Sequence, residues 1–178
     1  RLRDGDATLG IRVDGELVLG VYGVDMTNDG TWQSLRQNLP PVVRAGRVAI
    51  KDAPGTYWGD DYGNVTESFR SAICSREDGR LMYVAIGPVD IEPLGEALVA
   101  MGCVLAMQLD MNGRWPHFAT YTGSGTEQRK GVLLDRRMGQ PERSLRGSKK
   151  DFIGLFEDHT LTPPARSPSR FPTMSGTR

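Results

Sequence analysis

The stretch that decides the fold is AMQLDMNGRW, at residues 106–115. Residues 104–109 are apolar apart from Gln108, which predicts a buried strand. Asp110 follows this strand at once, and the Asn-Gly pair after Met111 favours a tight turn. A buried strand that ends in this way carries a carboxylate to the edge of the core. Asp110 is therefore either a functional acid or an ordinary turn former.

A helix is predicted immediately before this strand. Pro93 suits a first helical position. The residues that follow have the i, i+3, i+4, i+7 spacing of an amphipathic core stripe, namely Leu94, Ala97, Leu98 and Met101. Gly102 is suited to the left-handed conformation that ends a helix. The sequence thus predicts a helix that leads directly into the Asp110 strand.

Composition favours a β-rich domain and excludes some partners. The 178 residues carry 22 basic and 22 acidic side chains, so the formal net charge is zero and we expect no nucleic-acid partner. With 22 glycines and 11 prolines the chain has many turn formers. No apolar run approaches the ~18 residues that span a bilayer, so we expect membrane attachment only through a segment outside this chain. Because the first residue is Arg1 and not Met, we interpret the chain as a processed or excised piece.

Alternating apolar residues and turn signals predict the remaining strands. Residues 7–13 and 16–21 are predicted to form a hairpin with a two-residue turn at Asp14-Gly15. Further strands are predicted at 69–74, 81–86, 118–121, 132–134 and 152–156, with a second hairpin over 42–50 about Ala45-Gly46. Residues 32–39 are predicted to be helical, because Trp32, Leu35 and Leu39 have helical spacing. The predicted class is mixed α+β (α/β), with a mixed, largely antiparallel sheet, one clear amphipathic helix and few others.

The chain is predicted to be one domain over residues 1–157, followed by a disordered tail over 158–178 that is rich in Pro, Ser, Thr and Arg. The basic segment 136–150 is either a solvated loop or a phosphate-facing surface. The acidic loop 51–66 is either solvated or a site for a hard cation such as calcium. We expect no other cofactor. Cys74 and Cys103 flank predicted strands, and form either a disulfide or a pair of buried thiols.

Several segments together resemble the phosphodiester glycosidase family. The segments that carry this resemblance are RSAI at 70–73, DGRL at 78–81, residues 94–98, Met101-Gly102 and AMQLD at 106–110. The closer resemblance is to a bacterial, largely actinobacterial branch, whose turn reads Leu-Asp-Ile-Asn-Pro-x-Trp and here is LDMNGRW at 109–115. RQNL at 36–39, Trp58-Gly59 and Asp151-Phe152 also resemble that branch.

The chain departs from the family pattern at three places. The family usually has Gly at the position of Cys74, and Gly-Gly at the position of Met111-Asn112. Family members also carry an earlier Asn-Gly-rich turn that belongs to the active site, and this chain has no visible counterpart. We therefore expect the 1–157 domain to be incomplete at its N-terminal side.

The resemblance implies a hydrolase that cleaves a glycosyl phosphodiester, a sugar-1-phosphate ester, in cell-envelope or exopolysaccharide metabolism. It implies a location outside the cell or anchored in the cell envelope, and a glycan or sugar-phosphate substrate. Such chemistry needs a cation for the phosphate, for which Arg70 is the best candidate because a guanidinium binds phosphate bidentately. The alternative for Arg70 is a salt bridge at the rim, to Glu67 or Asp110.

Carboxylates are needed at the sugar carbon, usually two that lie about 5–9 Å apart. Asp110 is the first candidate, and the second is not identifiable among the loop acids Asp25, Asp60 and Asp61. His117 next to the turn is either a general base or a residue on a strand surface.

Four further residues are candidates for substrate binding. Asn112 can hold a sugar hydroxyl or simply make the turn, and Trp115 can stack on a sugar or pack at the rim. Asn38 and Gln37 can hydrogen-bond a substrate or cap the short helix predicted before Pro40. The alternative function is a non-catalytic carbohydrate-binding or interaction module of a larger surface protein, which the altered turn and the missing upstream segment favour.

Overall fold

A computed structural model of the chain describes residues 1–59, 67–113, 115–123, 130–145 and 152–156. Within these ranges the strands are β1 (Ala7–Arg12), β2 (Leu17–Val21), β3 (Trp32–Gln37), β4 (Val43–Arg44), β5 (Arg47–Val48), β6 (Ser68–Arg76), β7 (Leu81–Val89), β8 (Cys103–Gln108), β9 (Ala119–Thr122) and β10 (Lys130–Leu133). The α-helix α1 covers Ile91–Ala100, and short 3-10 helices cover Ile50–Asp52, Arg136–Met138 and Pro141–Leu145.

The strands form three sheets in the part of the chain that the structure describes. A five-stranded sheet has the order β5-β4-β8-β6-β7, a three-stranded sheet has the order β2-β1-β3, and β10 pairs with β9. All of these pairs are antiparallel. The predicted class, mixed α+β with largely antiparallel sheet and one clear amphipathic helix, is confirmed.

The central strand β8 is covered on both faces. On one face α1 buries Leu94 and Leu98 in a cluster that includes Ala106 of β8. On the other face the three-stranded sheet packs its Leu9 and neighbouring apolar residues against Met107. A strand enclosed in this way has no solvent face, which explains why its sequence is an almost continuous apolar run. The Asp110 turn therefore leaves the most deeply buried element of the fold.

The hairpins predicted from turn residues are confirmed. β6 pairs with β7, and β4 pairs with β5 through Ala45 and Gly46, which both have positive φ. β1 pairs with β2, but Arg12 N donates to Glu16 O, so the loop has three residues and not the predicted two. The left-handed φ of +88° at Gly15 is what closes this loop.

The predicted helix over 32–39 is wrong, because Trp32–Gln37 is strand β3 and pairs with β1. The register shifts between Ile11 and Arg12. This irregularity brings Trp32 and Leu35 to the same face, where both side chains lie over Gly10. In a regular strand residues i and i+3 point to opposite faces. The bulge thus gives a strand the apolar spacing of a helix.

The helix before β8 is confirmed, with a different start and a shorter stripe. It begins at Ile91, with Asp90 as the N-cap accepting a hydrogen bond from Ile91 N, so Pro93 is the third helical residue and not the first. Proline is tolerated there because the first-turn N–H groups have no partner within the helix. Met101 is 38% exposed and lies outside the core. Gly102 ends the segment with φ +81°, as predicted.

The predicted strand over 152–156 is wrong. These residues are outside any strand, and Phe152, Leu155 and Phe156 are exposed. The apolar run has the composition of a strand, but no partner strand pairs with it within the described ranges. The tail 158–178 lies outside those ranges.

Cys74 and Cys103 form a disulfide that joins β6 to β8. Both residues are buried, and this pairing decides between the two alternatives that the sequence left open.

Within the described ranges, no helix combines the length and apolar character needed to cross a membrane.

Gly87 offers a test of the close packing of β7 against β6. It has φ +147°, and a Cβ there would lie 2.5 Å from Ser68 O. We expect Gly87→Ala to lower the free energy of unfolding by about 3 kcal/mol, from the clash and the disfavoured φ together. The control is Gly79→Ala in the β6–β7 turn, which has φ +78° and open space around the Cβ, and should cost about 1 kcal/mol. Urea unfolding measures both, and equal losses would contradict the close approach of Gly87 to β6.

Candidate functional site

The main chain of the Asp110 turn is fixed to the beginning of β6. Leu109 N donates to Ser71 O and Ser71 N donates to Asp110 O, both at 2.8 Å. The Ser71 hydroxyl also donates to Asp110 O, at 3.1 Å, and the Ser68 hydroxyl donates to Met111 O, at 2.6 Å. Asp110 itself is exposed. The fold thus presents this carboxylate to solvent on a main chain that cannot easily move.

Asn38 supports the same turn from the end of β3. Its side-chain Nδ2 donates to Gln108 O at 2.6 Å and to Leu109 O at 3.3 Å. Gln37 does not join this group, because its side chain bonds to both main-chain groups of Arg3 and to the Thr8 hydroxyl. Of these two predicted substrate contacts, the structure brings only Asn38 to the turn.

Arg70 is fully buried at the same end of β6. Its Nε donates to Val89 O at 3.0 Å, and its Nη1 donates to Trp58 O at 2.9 Å and to Gln108 Oε1 at 3.0 Å. The guanidinium therefore joins three separate parts of the chain from inside the core.

The carboxylate beside Arg70 is Asp90, with Oδ1 3.6 Å from Nη2. The sequence had offered Glu67 or Asp110 for a salt bridge to Arg70. Asp90 was missed there, although an Asp before an acidic first turn is a common N-cap signal. Placing the helix start at Pro93 concealed this signal. The structure thus adds a half-exposed acid to the group around Arg70.

Trp58-Gly59 and the Asp110 turn, two segments that carry the family resemblance, are in contact. Gly59 has φ +100°, and a Cβ there would lie 1.6 Å from the sulfur of Met111. A larger residue would displace the end of the Met111 side chain, and the positive φ itself favours glycine. Trp58 is buried in the same core cluster as α1. Met111 thereby packs the segment before residue 60 against the turn.

The turn is closed beyond Met111 by a hydrogen bond from Trp115 N to Asn112 O, at 3.1 Å. The Trp115 ring lies under the Arg143 guanidinium, whose carbon is 4.9 Å from the ring centroid. Asn112 and Trp115 are thus close to Asp110 along the chain, and their contacts with a substrate remain predictions.

The sequence left the second carboxylate unidentified among three loop acids, and of these the structure describes Asp25. Asp25 accepts a hydrogen bond from Val21 N and lies 4.0 Å from an Arg44 nitrogen, at the end of β2. Asp60 and Asp61 lie outside the described residues. Within the described ranges, no group of three His, Cys, Asp or Glu side chains is arranged to hold a metal ion.

His117 lies just before β9 and contacts the segment after β10. Its Nδ1 is 3.1 Å from Met138 O. Because a carbonyl oxygen only accepts, Nδ1 is the donor in this contact. The Nε2 of the ring is buried and has no hydrogen-bond partner in the described structure. His117 is therefore half-buried and not the strand-surface residue that its alternation with Phe118 favoured.

Tyr83 of β7 completes the group and was not singled out from the sequence. Its ring stacks on Phe118, with the centroids 5.0 Å apart. Burial raises the pKa of the Tyr83 hydroxyl, and the nearby negative charge of Asp110 raises this pKa further. In the sequence Tyr83 is one of several alternating strand residues, so only the folded chain shows that it lies near the acid.

Similarity to known proteins is found among solved structures. No protein-family model matches the chain, and the search of curated proteins found no match. Among solved structures, the chain is similar to the catalytic domain of zebrafish N-acetylglucosamine-1-phosphodiester α-N-acetylglucosaminidase, auto-inhibited by its pro-peptide. The two are 20% identical with a TM-score of 0.47, over 63% of this chain and 43% of that chain. The chain thus spans less than half the length of that catalytic domain.

Arg70 gives the first test of this arrangement. We expect Arg70→Met to lower the free energy of unfolding by about 3 kcal/mol or more, because the three oxygens that it bonds lose their donors, at about 1–3 kcal/mol each. The control is Arg44→Met, which removes a partly exposed cation 4.0 Å from Asp25 and should cost less than about 1 kcal/mol. Denaturant unfolding compares them, and a mild effect at Arg70 would contradict its role inside the core.

Asp135 gives a test of pH dependence at the segment that contacts His117. Hydrogen bonds from the Arg137 side chain and main chain lower the pKa of Asp135 from 3.8 to about 2. Since the folded pKa is the lower one, the stabilisation is complete above pH 3.8 and is lost as the pH falls through about 2. We expect carboxyl NMR titration to show this low pKa, and Arg137→Gln to return it toward 3.8.

The low pKa of Asp52, which Arg47 maintains, is the internal control in the same titration and should not change. An Asp135 pKa that is the same with and without the Arg137 side chain would contradict this interpretation.

Proposed function

We propose that this chain carries a hydrolytic centre for a glycosyl phosphodiester, in which Asp110 acts at the sugar carbon. The observation that carries the proposal is the exposed Asp110 carboxylate on a turn whose main chain is fixed to β6. The sequence resemblance to phosphodiester glycosidases supports it, since the contacting segments around Trp58, Arg70 and Asp110 are those that carry the resemblance. Membership of the bacterial branch, and a role in cell-envelope or exopolysaccharide metabolism, belong to this proposal.

The proposed reaction adds the elements of water across one bond. The oxygen of water bonds to the anomeric carbon, and the bond from that carbon to the phosphate oxygen breaks with its electron pair on the oxygen. The products are a free sugar, a phosphate monoester and the proton released by water. A phosphate leaves readily because its monoester has a second pKa near 6, so no strong general acid is required. The Asp110 carboxylate can stabilise the positive sugar carbon or accept the proton from water.

Contact between Arg70 and the substrate phosphate is a further part of the proposal. A guanidinium has five N–H donors. In the folded chain Arg70 directs three of them to carbonyl and amide oxygens, and its Nη2 faces Asp90. A phosphate would therefore have to compete with Asp90 for that edge of the guanidinium. The contacts of Arg70 directly support a role in positioning β6 and the Asp110 turn.

A location outside the cell or at the cell envelope is proposed from the same resemblance. The buried disulfide between Cys74 and Cys103 supports it, because disulfides persist mainly in oxidising compartments.

The second candidate function is a carbohydrate-binding module, and one observation favours it. A cleft of about 300 Å³ lies at the three-stranded sheet, lined by the Trp32 ring, the Arg12 guanidinium and the carboxylates of Asp25 and Asp29, with apolar neighbours. Aromatic and polar side chains in one concave site are typical of small-molecule binding. If this is the functional site, Trp32→Ala removes sugar binding and Asp110→Asn does not.

The test of the proposed function is sugar release from a panel of activated sugar-1-phosphodiesters. We expect the unmodified chain to release sugar and Asp110→Asn to reduce kcat by at least about a hundredfold, because a neutral amide can neither stabilise a cationic carbon nor accept a proton. Asp110→Asn should remain folded, since the turn is held by main-chain oxygens that the substitution leaves in place.

The matched control is Glu77→Gln, which removes an exposed carboxylate from the turn at the other end of β6 and should leave turnover unchanged. Full turnover in Asp110→Asn would remove Asp110 from the mechanism. No turnover by the folded chain on any substrate, together with sugar binding at Trp32, would favour the binding module.

A further inference from the structure

Tyr83 shares a sheet face with the residue that holds the Asp110 turn. Tyr83 is paired with Ile73, and Ser71 lies two residues before Ile73 on β6, so the three side chains point to the same face. Ser71 donates to Asp110 O. The Tyr83 hydroxyl lies close to the Ser71 hydroxyl, so Ser71 connects Tyr83 to the Asp110 turn.

The Tyr83 ring cannot easily turn away from this place. Its stack on Phe118 is close to parallel, with 27° between the ring planes. Phe118 is itself held, since its N–H donates to the sulfur of the buried Met138. The hydroxyl is thus a fixed group at the end of a fixed ring.

The Tyr83 hydroxyl is buried without a hydrogen-bond partner in the described structure. The Ser71 hydroxyl and the His117 main chain are close to it but complete no hydrogen bond. A buried polar group in this condition is costly and rare, and a catalytic role is one of the reasons for which native proteins keep it.

Between the Tyr83 hydroxyl and the Asp110 carboxylate, the hydroxyl is the donor and the carboxylate is the acceptor. Around neutral pH a carboxylate is ionised and a phenol keeps its proton, so the Tyr83 hydroxyl can donate. Asp110 is the acid near it. Hydrogen bonds at active sites are often long or misaligned before substrate binds and shorten in the complex.

We propose that Tyr83 is a positioning residue of this site, whose hydroxyl donates to the Asp110 carboxylate when a glycosyl phosphodiester is bound and so fixes its orientation toward the sugar carbon. This inference rests on the proposed function and adds to it a residue that neither the sequence nor the resemblance indicated.

The test is Tyr83→Phe, which keeps the stacked ring and removes only the hydroxyl. We expect kcat for sugar release to fall about ten- to a hundredfold with KM changed less than about twofold, because the Asp110 carboxylate contacts the reacting carbon and loses its orientation without this hydrogen bond. The melting temperature should stay the same or rise, because the hydroxyl that is removed has no partner in the free protein.

Tyr121→Phe is the matched control, since the Tyr121 hydroxyl donates to Pro141 O. Its melting temperature should fall while kcat is unchanged, the opposite of the result expected at Tyr83. An unchanged kcat in Tyr83→Phe, or a loss of stability like that of the control, would overturn the inference.

A second readout needs no turnover. NMR titration of tyrosine carbons should show the pKa of Tyr83 falling in Asp110→Asn, because the nearby negative charge is gone. An unchanged pKa would overturn the pairing of the two groups whether or not the chain is an enzyme. A lowered pKa without turnover by the unmodified chain would leave the pairing standing and contradict the proposed function alone.

Discussion

The buried guanidinium of Arg70 is the constraint on which the arrangement of this chain depends. A charge removed from water is very costly unless oxygens surround it. Here the oxygens come from Trp58, Val89 and Gln108, with the Asp90 carboxylate beside them. A loop, the end of β7, the central strand and the start of α1 must therefore all meet at one point. The Asp110 turn begins two residues beyond one of these contacts.

The two faces of β6 carry different functional groups. On the face that packs against α1, Arg70 donates hydrogen bonds to buried oxygens and so fixes the strand ends. On the opposite face Ser71 holds the main chain of Asp110, and Tyr83 places an unpartnered hydroxyl near it. The first face is almost closed to solvent, whereas Asp110 is exposed. Arg70, which makes the buried contacts, and Ser71, which holds the main chain of the exposed Asp110, are thus adjacent residues of β6, and in this way a stable core can support an open site.

Sequence reasoning succeeded where local and global signals agree. The apolar run of β8 and the positive-φ turn at Gly46 reflect burial and backbone sterics that short segments already contain. It failed at β3, where a bulge opposite Ile11 and Arg12 gives a strand the apolar spacing of a helix, and at Asp90, whose partner Arg70 is distant in sequence. Tyr83 could not be predicted for the same reason, since its proposed role depends on the Asp110 turn, which only the folded sheet brings near it.

The central claim is that a glycosyl phosphate is bound at the Asp110 turn. Chemical-shift mapping of backbone amides with non-hydrolysable C-glycosyl phosphonates of the common hexoses and N-acetylhexosamines tests it most directly. The account predicts the largest shift changes at Ser71 and at residues 109–112, with smaller ones at Tyr83. Changes confined to the Arg12 and Trp32 cleft, or no change with any of these phosphonates, would contradict it.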